Sequence, residues 1–387
     1  MRKEPYLYLA AFLMDGSIAG VLLCAPLLAV ALGASYDDLG MIGALGFLAY
    51  SLSCLGSGRL SERVGYRRSM AFAALATGAS AALFCYASRL AHVFILYGTT
   101  WLFLSGFWPP FQAWLGEGKS RGDLLRSLGR FNVSWSSGVL IGPAVGGALY
   151  AVGAAWPFGV CAAVVCAISL SLFLLRFRES TPLEGPASCS PHPLSARFLT
   201  IARVANFATF FGTGTIRSLF PKLALDLGIA PPSLGILMAM LGLSELCSFY
   251  LVSHTARWQF RLFPFVVVQT LGVTGMLTLA LGNSALMLAI GLLGPGVLIG
   301  LTFTSSIFYG LSAGGPGGRR AGLHESITGA GFLVGPLVGG FAAEHLGPRA
   351  PYLLAAGVIV CALGLETYLH RRGGPPASAP ERQDMRV

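Results

Sequence analysis

Asp15, Arg217 and Glu245 are ionisable side chains inside long apolar runs of this 387-residue chain. At the centre of a membrane helix each costs roughly 2.5–3.5 kcal/mol, so their presence points to chemistry. Carboxylates held away from water give up a proton less readily, which suits them to bind and release protons near neutral pH. Asp15 and Glu245 are therefore the expected proton or cation carriers, and Arg217 the expected partner of an anionic group. The competing reading, strongest for Arg217, is an internal ion pair joining two parts of the chain. Aromatic residues cluster in another stretch: Trp101, Phe103, Phe107, Trp108, Phe111 and Trp114, then Phe131, Asn132 and Trp135. Of these, Trp101, Trp108 and Asn132 are expected to line a cavity, whereas Trp114 and Trp135 have the depth of interfacial anchors. His324 and Glu325, beside a basic loop, suit an inner gate or a helix cap.

The elements that must hold these residues are membrane helices. Apolar residues make up 55% of the chain and charged residues 11%, against roughly 25% charged in a soluble domain. Apolar runs of about 20 residues, each able to cross a ~30 Å hydrocarbon core, recur at 6–32, 38–58, 70–88, 92–114, 131–152, 155–175, 199–222, 233–253, 263–282, 285–310, 322–345 and 350–370. A barrel would show short alternating strands instead. The fold class is an all-α membrane protein with twelve transmembrane helices.

The net charge of +10 does not imply a nucleic-acid partner. Of 26 Lys and Arg, all but Arg89, Lys222, Arg349, Arg203 and Arg217 fall in the tails and alternate loops, on one side of the membrane. That bias places both termini in the cytoplasm, with a bacterial cytoplasmic (inner) membrane as the expected location. The first apolar run is too long for a cleaved leader and contains Asp15, so it reads as the first span. Seven of the eight cysteines sit in apolar runs and Cys189 in the central loop, with no spacing for disulfides or zinc; they read as small core residues. No cofactor or metal is expected.

The chain repeats itself. The frame G-x8-G-x3-G-P-x2-G-G occurs on Gly129, Gly138, Gly142, Pro143, Gly146 and Gly147, and again on Gly322, Gly331, Gly335, Pro336, Gly339 and Gly340, 193 residues on. A second register pairs Pro26 to Gly33 and Leu39-Gly40 with Pro221 to Gly228 and Leu234-Gly235, at an offset of 195. Duplicated halves in so apolar a chain point to a transporter of two repeats around a central site. The expected organisation is a six-helix bundle over 1–176, a cytoplasmic linker over 177–198, a second six-helix bundle over 199–372 and a disordered tail over 373–387, the halves related by pseudo-twofold symmetry. Glycines four apart make a smooth stripe for close helix packing. Pro143 and Pro336 remove a backbone donor beside it, which suits a gate or hinge between bundles.

The loop Gly58-Arg59-Leu60-Ser61-Glu62-Arg63-Val64-Gly65-Tyr66-Arg67-Arg68 resembles the signature G-x-L-x-D-R-x-G-R-[RK] of the major facilitator superfamily. The glycine-proline frame resembles that superfamily's helix-five antiporter motif, typical of proton-coupled drug exporters. The resemblance implies the major facilitator fold, with helices one and seven lining the cavity and eight beside it. It also implies that Glu62 steadies one conformation by facing cationic groups and a helix N-terminus, with Arg63, Arg67 and Arg68 as companions. Glu stands here for the usual Asp and Tyr66 for an Arg, so a looser latch is expected. The loop at Ser253 to Arg261 reads as a degraded second copy. Such exporters usually carry an Arg in helix four, and Leu90 to Gly118 holds no Arg or Lys, which weakens the case for proton coupling.

The leading expectation is a monomeric secondary transporter that exports small organic or amphipathic molecules by alternating access coupled to protons or another ion. The alternative is an uptake carrier for a sugar, organic acid or other nutrient. A large aromatic cavity would favour export, and convergent Asn, Gln and Arg groups uptake. A non-transporting sensor or membrane enzyme is less favoured, because no nucleophile–base pair, metal cluster or G-x4-G-K-[ST] loop is found.

Overall fold

The computed structural model describes residues 3–119, 121–175, 194–312 and 317–372. Most of the expected linker, together with Arg176, Arg178, Cys189 and the tail 373–387, lies outside the described residues. Within them every regular element is helical: α1 (Lys3–Ala31), α2 (Tyr36–Val64), α3 (Tyr66–Leu83), α4 (Leu90–Leu104), α5 (Trp108–Gly116), α6 (Arg121–Val152), α7 (Trp156–Leu174), α8 (Ser195–Asp226), α9 (Pro231–Ser253), α10 (Phe263–Leu281), α11 (Ala285–Ser312), α12 (Gly317–Leu346) and α13 (Ala350–Arg372).

The fourth crossing is two helices. Pro109 and Pro110 carry no N–H for the carbonyls one turn back, so the chain breaks at Ser105–Phe107 and restarts as α5. Eleven segments are long and apolar enough to span a bilayer by composition alone. The twelfth is α8, which matches them in length. Its Asn206, Thr209, Thr213, Thr215, Arg217 and Ser218 lower its hydropathy, and all but Arg217 are buried. Protein, rather than lipid, surrounds this helix.

Helices α1–α7 form one bundle and α8–α13 the other. Two seams join them, α2 against α12 and α6 against α9. The duplicated motifs supply both. A Cβ on Gly40 would lie 2.6 Å from the Pro336 carbonyl oxygen, and one on Gly340 would lie 2.7 Å from that of Tyr36. At the other seam a Cβ on Gly235 would lie 2.5 Å from the Pro143 oxygen, and one on Gly147 would lie 2.5 Å from that of Pro231. Each contact maps onto its mate through the 195- and 193-residue offsets, which is a pseudo-twofold axis expressed in backbone contacts.

The frame thus has two faces. Its four-spaced stripe does not lie between bundles. Gly138, Gly142 and Gly146 pack on Gly16 and Gly20 of α1, and Gly331 and Gly335 pack on Phe207 to Phe211 of α8. Each stripe ties a helix into its own bundle, while the Pro and the last Gly meet the opposite bundle.

Three sequence expectations need adjusting. Helices α6 and α12 begin several residues before their apolar runs, where an Asp123–Arg126 pair (2.6 Å) satisfies the polar first turn of α6. The signature loop is largely helical: α2 continues to Val64, and Gly65 (φ +94°) makes the turn into α3. Cys24, Cys54 and Cys161 are buried, but Cys247 and Cys361 are exposed on the outer surface. A thiol is apolar enough to face lipid.

Candidate functional site

A cavity lies between the bundles, lined by α1, α2, α4 to α6, α8, α9, α11 and α12. Water reaches about 90 Å³ of it, room for roughly three molecules at ~30 Å³ each. Pockets that enclose drug-sized ligands run to ~300–1,000 Å³, so the bundles must part to admit one. The two bundles touch on either side of the cavity. Towards the far side, opposite the termini, stand the two glycine seams. Towards the side of the termini, Ser51 and Ser326 exchange hydrogen bonds across α2 and α12 (2.8 and 2.9 Å), and Gly129 packs on Ser253.

Asp15, Arg217 and Glu245, far apart in sequence, all face this space, and Glu325 joins them. Glu245 on α9 is fully buried, and its Oε2 lies 3.8 Å from a terminal guanidinium nitrogen of Arg217 on α8. That is an ion pair beyond hydrogen-bond range. Neither Glu245 oxygen accepts a hydrogen bond among the described residues. The guanidinium also stands 5.8 Å from the centre of the Phe332 ring. Asp15 on α1 makes no hydrogen bond or ion pair among the described residues, and feels the charges of Arg217, Glu245 and Glu325. Three carboxylates against one guanidinium leave an excess of negative charge where water is scarce. Such a group demands a proton or a cation.

Glu325 sits two turns into α12 and is held entirely by the other bundle. Tyr50 of α2 donates its hydroxyl to one oxygen (2.8 Å), and Gln112 of α5 donates its amide to the other (2.6 Å). His324 turns away, its Nδ1 bonded to the Ser306 hydroxyl of α11 (3.0 Å). Glu325 thus bridges the two bundles, while His324 stays within its own.

Aromatic rings make most of the remaining wall. Trp101 and Trp108 line it, with Phe47, Phe131, Phe210, Phe303 and Phe332. Phe47 and Phe332 stack across the α2–α12 seam at 4.2 Å. Asn132 does not line the cavity. It is buried behind the wall, where its amide donates to Thr304 of α11 (3.2 Å) and its oxygen accepts from the indole of Trp135 (3.2 Å). Trp135, expected as an interfacial anchor, takes the lining position instead and meets Phe249 and Phe303 of the other bundle. Trp114 remains near the termini, its carbonyl bonded by Lys3 (3.1 Å).

The signature segment lies away from the cavity. Gly58 is buried, while Glu62, Arg63 and Arg68 are exposed. Glu62 makes no ion pair among the described residues. Arg67 donates to the Leu175 carbonyl at the end of α7 (2.8 Å), a favourable place for a cation. Among the described residues, the cationic partners expected for Glu62 are not paired with it.

Comparison with known proteins agrees with this architecture. A family model described as "Major Facilitator Superfamily" matches residues 7–320. The chain is 24% identical over 338 residues to "Multidrug resistance protein 2" of Bacillus subtilis (strain 168), across 80% of each protein. Among solved structures it resembles a bacterial homolog of the human lysosomal transporter Spinster, inward-facing and occupied (TM-score 0.71, 12% identity, 95% of this chain and 96% of that one). It also resembles the human organic anion transporter MFSD10 (TM-score 0.69, 17% identity, 94% and 98%). At such identities these structures share the fold.

Proposed function

Because the chain belongs to the Major Facilitator Superfamily, we propose that it exports small amphipathic cations in exchange for protons by alternating access. The observation that carries this reading is the cluster of Asp15, Glu245 and Glu325 against Arg217 alone, inside an aromatic wall between two bundles. A cation with an apolar body meets both needs: carboxylates for its charge, and ring faces that attract cations as well as apolar surface. Protons on the same carboxylates are the natural competitors, so binding one expels the other.

The uptake reading is less well supported. Two polar groups of the cavity, Gln112 and Arg217, face protein carboxylates rather than open space. The similarity to a multidrug resistance protein also favours export. We place both termini in the cytoplasm, from the bias in Lys and Arg.

The test is transport of tetraphenylphosphonium in proteoliposomes with an imposed pH gradient, with proton flux recorded in parallel. Wild type should move the two in opposite directions, and Asp15→Asn or Glu245→Gln should uncouple them. Unchanged pH dependence in both variants would refute the carrier assignment. Transport of neutral sugars or anions with none of the cation would refute the substrate class.

A further inference from the structure

We propose that Glu325 is the group through which protonation controls the parting of the bundles on the side of the termini, a task separate from holding the substrate. The inference rests on the reading above that the cavity opens alternately. It goes further in assigning the gate to one residue and one seam.

Among the described residues, Glu325 is the cavity carboxylate that receives hydrogen bonds from the opposite bundle, from Tyr50 and Gln112. One residue further, Ser51 and Ser326 exchange theirs. The seam between α2 and α12 is thus fastened just beneath the cavity. The second seam is built differently. Through the pseudo-twofold offsets, Glu325 maps onto Asn132 and Tyr50 maps onto Glu245. Asn132 cannot titrate, and among the described residues Glu245 pairs with Arg217 of its own bundle and accepts no hydrogen bond. One of two structurally equivalent seams therefore carries a titratable fastener.

The chemistry sets the direction. A charged carboxylate accepts from both donors in bonds roughly twice as strong as neutral ones. Adding a proton removes the charge from both contacts and places a hydrogen on one accepting oxygen. The Gln112 amide oxygen, buried and without a partner, can take that hydrogen only if the amide turns over, which withdraws its own N–H. The groups that face Glu325 are Tyr50 and Cys54 of α2 and Gln112 of α5, while on its cavity side Asp15 of α1 feels its charge. Arg217 of α8 acts on Asp15 and Glu245. None is a cation bonded to the carboxylate that would keep the fastener charged as pH falls. Protonation should therefore raise the population open towards the termini roughly 10- to 30-fold, from two weakened bonds.

Spin labels at Leu60→Cys and Leu323→Cys, both exposed near that end of α2 and α12, report the gap by pulsed electron resonance in nanodiscs, with reactive native cysteines replaced. Wild type should shift to longer distances as pH falls. Glu325→Gln should hold the long-distance population at every pH. Tyr50→Phe should raise that population at high pH yet keep the pH dependence, and Glu245→Gln should keep the shift. A pH-dependent shift that survives Glu325→Gln overturns the proposal, as does its loss in Glu245→Gln alone. Substrate plays no part in this readout. A chain that opened with this pH dependence but never exchanged protons for substrate would refute the coupling above and leave the gate standing.

Discussion

Replacing Gly147 with alanine tests whether the far-side seams close the cavity by backbone contact. The new Cβ would lie 2.5 Å from the Pro231 carbonyl oxygen and 3.3 Å from the Gly235 Cα. Both belong to the opposite bundle and neither can swing aside as a side chain would. Relief requires the helices to separate by several tenths of an ångström. Overpacking of this kind costs about 1–3 kcal/mol, but only while the far side is shut. Once α6 and α9 part, the methyl meets open space. The equilibrium should therefore shift about 5- to 150-fold towards the far-side-open form. Gly40→Ala meets the Pro336 oxygen at 2.6 Å in the mate seam and should add to it, because the sites share no partner. Labels at Val152→Cys and Leu346→Cys, exposed at the far ends of the two bundles, read the gap by pulsed electron resonance. An unchanged distance distribution in the double variant would show that glycine contact does not govern closure.

The stripe glycines should behave differently. Gly142→Leu or Gly335→Leu crowds Gly16 or Phe211 of the same bundle in every state, so detergent-solubilised Tm and folded yield should fall. Full stability with selective loss of turnover would contradict that assignment. Tyr36→Phe removes the hydroxyl that donates to Asp226 across the far-side seam (2.7 Å). The far-open population should rise about fivefold for ~1 kcal/mol, read with the same labels. Arg217→Gln leaves Glu245 buried without its cation, and Arg217→Gln/Glu245→Gln removes both charges. The double variant should regain thermal stability over the single one, because stranding one buried charge costs more than deleting the pair.

Much of the architecture is legible in the sequence, because composition and repetition report it directly. Twelve crossings follow from run length, and the pseudo-twofold relation from two matched offsets. Contact partners are not encoded that way. Four-residue spacing shows that Gly138, Gly142 and Gly146 share a stripe, but not whether α1 or the other bundle covers it. Asn132 and Trp135 are three apart and near neighbours on one helical face, so pattern alone cannot decide which faces the cavity and which the wall. Glu325 is masked by its flank, since the basic stretch before it reads as a membrane boundary, whereas α12 already lies between α2 and α5 there. The grouping of Asp15, Arg217 and Glu245 in one cavity needs three helices from two bundles, which no local signal contains.

The duplication keeps the glycines of the repeated frame and of the two seams but is broken in its polar groups, and that difference bears on how the bundles move. On the far side, Tyr36 donates its backbone N–H to Glu344 (3.1 Å) and its hydroxyl to Asp226. The mates of these three positions are Pro231, Ala151 and Ala31, which offer the second seam no side-chain hydrogen bond. On the side of the termini, Glu325 again fastens α2 to α12, while its mate Asn132 reaches Thr304 through one neutral contact. Both ends of the α2–α12 seam thus depend on carboxylates, and α6–α9 depends chiefly on shape. Neutral packing responds little to pH, whereas a hydrogen-bonded carboxylate responds strongly. Labels spanning α6 and α9 should therefore show a gap that follows the bundles passively, and those spanning α2 and α12 one set by pH. Equal pH dependence at both seams in a Glu325→Gln background would mean that titration acts elsewhere.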